Sequence, residues 1–394
     1  MIAAGAPPGP DVRPPPELLS DRHDRVRAVM ANLGITTLFV SAAKNLQYLT
    51  GFTGSTGAAL VRADHVVLVT DGRYEQEAGG LAARTGGLVR PLIVEKTYEE
   101  TVAAAIVGDR PQVGFEADVM PVSRHGWYAA TLDAAGWPSA GFVPTSGIVE
   151  SCRIVKDAWE IGLLREAAAR LSAVAVGVLA DIRPGLREQD VAQGVEAGLR
   201  RAGFHGPAFD TIVASGPRAA LPHGRASDRT IQPGEAVVLD FGGIYGGYCV
   251  DLTRTVACGE PGDEVRHWHG CVLAAQRAAI DLAAPGIAPE AVDRAAREVI
   301  ERGGLLDRFT HGTGHGLGLE VHEAPRVGPA RTMARVPAAG TAPMPDRLQP
   351  GMVFTVEPGV YVAGRGGVRI EDDVLVTASG VEVLTSVPTT LVLD

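Results

Sequence analysis

The second half of the chain repeats itself, and this repeat limits the possible folds more than any other feature. Ile231-Gln232-Pro233-Gly234 precedes an apolar run ending at Asp240, and Leu348-Gln349-Pro350-Gly351 precedes another ending at Glu357. In both copies the acid falls six residues after the glycine. Upstream, Pro184-Gly185 and the helical pattern Glu188 to Arg201 are echoed by Pro285-Gly286 and the pattern Pro289 to Arg302. Each copy reads helix, Pro-Gly, helix, then strands bearing carboxylates. Two such copies about a pseudo-twofold axis bring two acidic strands face to face.

The first half has a different character. Residues 1–19, with six prolines in the first sixteen positions, read as a disordered leader. A helix follows, with Val26, Val29, Met30 and Leu33 on one face and Gly34 at its end. Strand patterns over 37–40, 58–62, 65–70, 88–94 and 113–115 then alternate with helical ones over 75–83, 98–106 and 122–135. That alternation predicts an α/β domain over 20–150, before a long helix from about Asp157 to Ala180 opens a second domain over 151–394.

Composition narrows the function. Forty-six acidic residues against 36 basic ones leave a formal charge of −10, which disfavours nucleic acid as a partner. No apolar run approaches the roughly 18 residues of a membrane span. Cys152, Cys249, Cys258 and Cys271 form no C-x-x-C pair, which argues against a zinc ribbon or a disulfide scaffold. With no basic-then-apolar start, the expected compartment is the cytoplasm.

Each acidic strand has a second acid downstream: Asp251 lies eleven residues after Asp240, and Glu371 fourteen after Glu357. Glycines between them (Gly242, Gly243, Gly246, Gly247; Gly359, Gly364, Gly366, Gly367) suit antiparallel strands joined by turns, with both acids on one face. Any one of these acids alone would read as a solvated strand end. Four together, on strands that should be buried, cannot all ionise without counter-charge. Two divalent cations would supply it, and oxygen-rich ligation suits hard or borderline metals. Histidines complete the pattern. His311 and His315 lie in a glycine-rich stretch, His322 in His322-Glu323-Ala324-Pro325, and His223 in Leu221-Pro222-His223-Gly224. His267 and His269 read as structural residues on a helix surface. Neither a phosphate-binding glycine loop, a G-x-S-x-G elbow nor H-E-x-x-H is present.

The ordered set Asp240, Asp251, His315, Glu357, Glu371 resembles the five-ligand dinuclear site of the pita-bread metallopeptidases, which include methionine aminopeptidase, aminopeptidase P and prolidase. Leu221 to Gly224, Phe309 to Pro325 and Val353 to Asp373 resemble the Xaa-Pro peptidases more than the methionine aminopeptidases. Leu49 to Gly57 and Thr70 to Tyr74 resemble the creatinase-like N-terminal domain of the same enzymes. The resemblance implies an α/β (α+β) chain whose creatinase-like domain precedes a pseudo-twofold pita-bread catalytic domain. It implies that Asp240 chelates one metal, Asp251 and Glu371 bridge both, His315 caps one, and Glu357 ligates the other and shuttles a proton. His223 and His322 match histidines that steady the tetrahedral intermediate, and His311 a substrate-side histidine. Arg369 is expected near the substrate or as the partner of a ligand carboxylate, a plain ion pair being the alternative.

The expected cofactor is a pair of divalent ions, manganese first and cobalt or zinc otherwise. The expected reaction is hydrolysis before a proline in second position, by an aminopeptidase with a dipeptidase as alternative, and the expected assembly is a homodimer. A non-catalytic peptide-binding relative is disfavoured, because all five ligand positions are filled. One departure stands out: about twenty Ala- and Pro-rich residues, 326–347, separate Pro325 from Leu348. They read either as a border of the cleft or as a solvated insertion.

Overall fold

Proline is tolerated at the first turn of a helix, where its missing N–H has no partner to lose. Accordingly Pro16 opens α1 (Pro16–Asn32). The ordered chain therefore begins before residue 19, and the first twelve positions of the expected leader lie outside the described residues. The computed structural model describes residues 13–109, 112–330 and 339–393. Contacts divide these into two units: residues 13–153 with 339–344, and residues 154–330 with 345–393.

In the first unit, β1 (Thr37–Val40), β2 (Ala58–Val61), β3 (Val66–Asp71), β4 (Val89–Val94), β5 (Val113–Glu116) and β6 (Phe142–Thr145) form one sheet, in the order β4-β3-β2-β1-β5-β6. β1, β2 and β3 pair antiparallel, and the other pairs are parallel. Helices α2 (Ala43–Thr50), α3 (Glu75–Arg84), α4 (Tyr98–Val107), α5 (Val122–Ala134) and α6 (Ile148–Arg153) complete the unit. An aromatic core forms beneath α5, with Phe115 stacked on Phe142 at 4.4 Å and Phe39 edge-on to Tyr128 at 5.5 Å. Buried Glu116 caps α2 from a neighbouring strand, accepting from the Ser41 and Ala42 amides at 2.6 and 2.7 Å and from Asn45 at 2.6 Å. Part of the 326–347 segment belongs here. The Ser146 amide donates to the Gly340 carbonyl (3.1 Å) and the Ala342 amide to the Ser146 carbonyl (2.9 Å). The stretch 331–338 lies outside the described residues.

The second unit carries the repeat into hydrogen bonds. Helices α7 (Ala158–Asp181) and α8 (Glu188–Arg201) flank the first Pro-Gly, and α9 (Asp263–Leu282) and α10 (Pro289–Arg302) the second. Gly185 donates to the Ile231 carbonyl at 2.9 Å, and Gly286 to that of Leu348 at 2.8 Å. Gly234 donates to Cys258, and Gly351 to Val376, both at 2.9 Å. Gly234 and Gly351 have φ values of 76° and 92°, a region that side chains disfavour. The repeated Pro-Gly thus marks the same turn twice. His269, expected on a helix surface, is buried on α9; His267, two residues back and so on the opposite side of the helix, is exposed and bonds the Gly303 carbonyl.

Strands β7 (Gly206–Pro207), β8 (Ile212–Ser215), β9 (Ala236–Tyr245) and β10 (Tyr248–Cys258) form one sheet with the C-terminal β18 (Val392–Leu393). A second sheet holds β11 (Gly314–Gly316), β12 (Glu323–Val327), β13 (Val353–Val356), β16 (Asp372–Val376) and β17 (Val381–Val383). Between β13 and β16 the chain forms a separate hairpin, β14 (Gly359–Val362) with β15 (Gly366–Arg369).

His23 supplies a stability test. Its ring is buried on α1, Nε2 donates to the Leu49 carbonyl at 2.6 Å, and Nδ1 has no partner. Burial lowers its pKa to about 4, so the unfolded chain takes up the proton first. The stability this histidine confers is complete above pH 6.5 and falls as pH drops toward 4, by at most about 1.4 kcal/mol per pH unit. In thermal melts over that window, His23→Gln, which keeps the donor but cannot titrate, should show a shallower decline than the wild type. Equal slopes would remove His23 as a cause.

Candidate metal centre

The four acids arrive from both halves of the repeat. On the β9–β10 hairpin Asp240 lies opposite Thr253 and Asp251 opposite Gly242, which places both acids on one face, as their spacing predicts. The second pair departs from the expected hairpin. β13 and β16 pair only as far as Val356 opposite Asp372, so Glu357 and Glu371 stand just beyond the strand ends. Pro358, lacking an N–H, follows Glu357 and ends that ladder. By register, the counterpart of Glu371 in the first half is Thr253 and not Asp251. The two meet directly: the Glu371 amide donates to the Thr253 carbonyl (3.1 Å), and the Thr253 hydroxyl to Glu371 Oε2 (2.6 Å).

His315 reaches the cluster from β11, whose neighbours leave no room for a side chain beside it. A Cβ on Gly314 would lie 1.8 Å from the Thr355 carbonyl oxygen, and one on Gly316 2.1 Å from that of Ala324. The preceding loop is pinned by α10, where Asp293 accepts from the Thr313 amide and hydroxyl and Arg297 donates to the His311 carbonyl. The His315 Nδ1–H donates to the Gly316 carbonyl at 3.1 Å, which leaves Nε2 bare, 3.4 Å from Glu357 Oε1. Burial lowers the His315 pKa to about 4, so the ring is neutral and its lone pair is available.

Asp251, His315 and Glu371 each offer a ligand atom within 4.8 Å of the others. Burial, followed by mutual repulsion, raises the pKa values of Asp251 and Glu371 well above the usual carboxylate range. Burial also lifts Glu357 to about 8; Arg369 opposes the rise and Asp240 adds to it. Asp240 Oδ1 and Glu371 Oε1 are buried without a hydrogen-bond partner. Orphaned acceptors of this kind are costly unless something positive meets them. Four carboxylates with one neutral imidazole form a donor set that fits divalent cations, so the residues present fit the metal that the sequence implies.

Behind the acids runs a chain that the sequence reading only partly anticipated. Arg369 ion-pairs with Asp240, donates through Nε to Thr253 at 3.2 Å and through its other nitrogen to the Tyr361 hydroxyl at 2.6 Å. His311 Nδ1 lies 2.7 Å from the Gly312 carbonyl, which can only accept, and its pKa is lowered by burial to about 4. Nε2 is therefore bare and accepts from the Tyr361 hydroxyl at 2.9 Å. Arg369 thus partners a candidate ligand carboxylate, one of the two roles expected of it, and both it and His311 line the cavity, His311 with its Nε2 engaged by Tyr361. Tyr361 and Thr253 went unremarked in the sequence because an isolated aromatic or hydroxyl carries no motif. His223 and His322 are exposed in the wall of a cavity of about 860 Å³ that contains all four acids, and the His322 ring lies 4.3 Å from that of His315.

Residues 162–378 match metallopeptidase family M24, and residues 22–155 match the creatinase/prolidase N-terminal domain. The chain is 36% identical to the uncharacterized peptidase YqhT of Bacillus subtilis over 94% of this chain and 99% of that one. It is 40% identical to a Pyrococcus furiosus Xaa-Pro dipeptidase over 62% of this chain and 66% of that one. Among solved structures, an Xaa-Pro dipeptidase from Bacillus anthracis superposes with a TM-score of 0.85 at 35% identity, covering 95% of this chain and all of that one. An X-Pro aminopeptidase from Thermotoga maritima gives 0.80 at 33% identity, covering 93% and 100%. The chain belongs to metallopeptidase family M24, with a creatinase-type N-terminal domain before the catalytic one.

Tyr361→Phe removes one hydroxyl and leaves every carboxylate in place. Partners that orient ligand residues typically contribute about 10–100-fold to activity or metal affinity. Peptide hydrolysis by the variant should fall within that range while circular dichroism stays unchanged. Wild-type turnover with wild-type metal affinity would make the Arg369–Tyr361–His311 chain a structural brace only.

Proposed function

We propose that this metallopeptidase is an Xaa-Pro dipeptidase, releasing proline from the C-terminal side of a dipeptide. The observation that carries the reading is the buried cluster of Asp240, Asp251, Glu357 and Glu371 with His315, whose orphaned oxygens call for cations. Relatives named Xaa-Pro dipeptidase support the dipeptide over longer substrates; the X-Pro aminopeptidase neighbour keeps longer peptides as the second reading.

Asp251 and Glu371 are assigned as shared ligands, Asp240 and Glu357 as ligands to one ion each, and His315 as the imidazole donor, for two divalent ions with manganese first. Bound there, such ions lower the pKa of water and polarise a carbonyl. The protein's own groups do the rest. Arg369 pairs with Asp240 and fixes the direction of its carboxylate. Glu357, a carboxylate lining the cavity, is the group assigned to take a proton from water and return it to the leaving nitrogen. His223 and His322 face the cavity, so each can offer a ring N–H to the developing oxyanion. Because the proline nitrogen has no N–H in the substrate, the site must recognise ring shape.

Chelator-treated protein should not cleave Ala-Pro, and Mn²⁺ should restore the activity. Ala-Pro should be cleaved well ahead of Ala-Pro-Ala, and Ala-Ala should be resistant. Full activity after exhaustive chelation would overturn the metal assignment. Preference for the tripeptide would establish the aminopeptidase reading instead.

A further inference from the structure

The mouth of the cavity carries an ion pair that the chemistry above does not use. Arg225 and Asp210 meet at 2.7 Å, with side chains 82% and 71% exposed, and both line the same cavity as His223 and Asp240. Exposed pairs of this kind contribute little to stability, so the two groups can exchange partners at small cost. Their position relative to the acids follows from register. Arg225 lies opposite Ile212 in an isolated antiparallel bridge, and Ile212 lies opposite Asp240 in the β8–β9 ladder. Residues directly opposite one another share a sheet face, and neighbouring strands stand about 4.8 Å apart. Arg225 is therefore in one row with Asp240, two strand spacings away, roughly 10 Å across the same face. An arginine side chain and the side chain of a residue bound over the carboxylates span that distance between them.

The charge around the mouth has a sign. Among the described residues lining it, Arg225 and Arg326 are cationic and Asp210 is anionic, while Glu323 is neutralised by buried Lys156 at 3.4 Å. The rim is thus net positive above a floor whose acids the proposed cations would neutralise. Arg225 meets Asp210 through Nη2, and a guanidinium carries five N–H donors, enough to grip a second carboxylate as well. A group common to every substrate is best held by a buried, fixed partner. An exposed, exchangeable pair suits a group that varies.

We propose that Arg225, restrained by Asp210, selects substrates whose N-terminal residue has an acidic side chain. The inference rests on the dipeptidase reading and names a substrate class within it. The test compares kcat/KM for Glu-Pro, Ala-Pro and Lys-Pro in the Mn²⁺-loaded wild type, Arg225→Ala and Asp210→Ala. In the wild type Glu-Pro should exceed Lys-Pro. Arg225→Ala should lower the Glu-Pro to Ala-Pro ratio about tenfold, the size of one charge-assisted hydrogen bond. Asp210→Ala, which frees the arginine, should raise that ratio. Unchanged ratios in both variants overturn the inference alone. An equal loss on all three substrates in Arg225→Ala also overturns it, because the arginine would then be reading the terminal carboxylate. If the wild type cleaves none of the three, the dipeptidase reading falls and this inference falls with it.

Discussion

Like charges do not share a dry site willingly, and this chain buries four carboxylates where its two repeats meet. Burial and mutual repulsion drive Asp251 and Glu371 far above the usual carboxylate range. Two acceptor atoms, on Asp240 and Glu371, remain without any hydrogen bond. Much of the surrounding structure can be understood as holding these acids together despite that cost. Arg369 is paired with Asp240, and Thr253 donates to Glu371.

The pseudo-twofold repeat is what makes the arrangement reachable from short local rules. The same Pro-Gly turn, with the same backbone hydrogen bond, launches each acidic strand, so two copies deliver acids from opposite sides. The copies are not chemically equal. Thr253 occupies the register position of Glu371, and this hydroxyl can donate to an acid where a fifth carboxylate would only repel. One face of the symmetry provides ligands, and the other provides the donors that orient them.

How much of this could be read beforehand depends on whether the cause was local. The four acids stood out because carboxylates on apolar strands conflict with burial, whereas His315 joined the set only through the family resemblance. The long helices were legible from periodicity and their Pro-Gly ends. Helix α2 was not, since its cap comes from Glu116, distant in sequence and folded against it. The link from Arg369 to His311 was not legible for the same reason: Tyr361, which joins them, shares a hairpin with Arg369 but lies far along the chain from His311. His269 looked like a surface residue because a single polar side chain in a helix gives no sign of being buried. In the 326–347 segment, sequence could not reveal that Gly340 and Ala342 bond to Ser146 in the first unit.

The central claim is that buried negative charge awaiting cations governs this site, and thermal stability tests it without reference to turnover. Glu371→Gln keeps the size of the side chain and an acceptor for Thr253 while removing one charge. In chelated protein at neutral pH the variant should melt above the wild type, because it no longer bears the cost of a displaced carboxyl. With saturating Mn²⁺ the order should reverse, the wild type gaining more from the ion. A variant that melts below the wild type in chelator, or an order that Mn²⁺ leaves unchanged, would contradict the account.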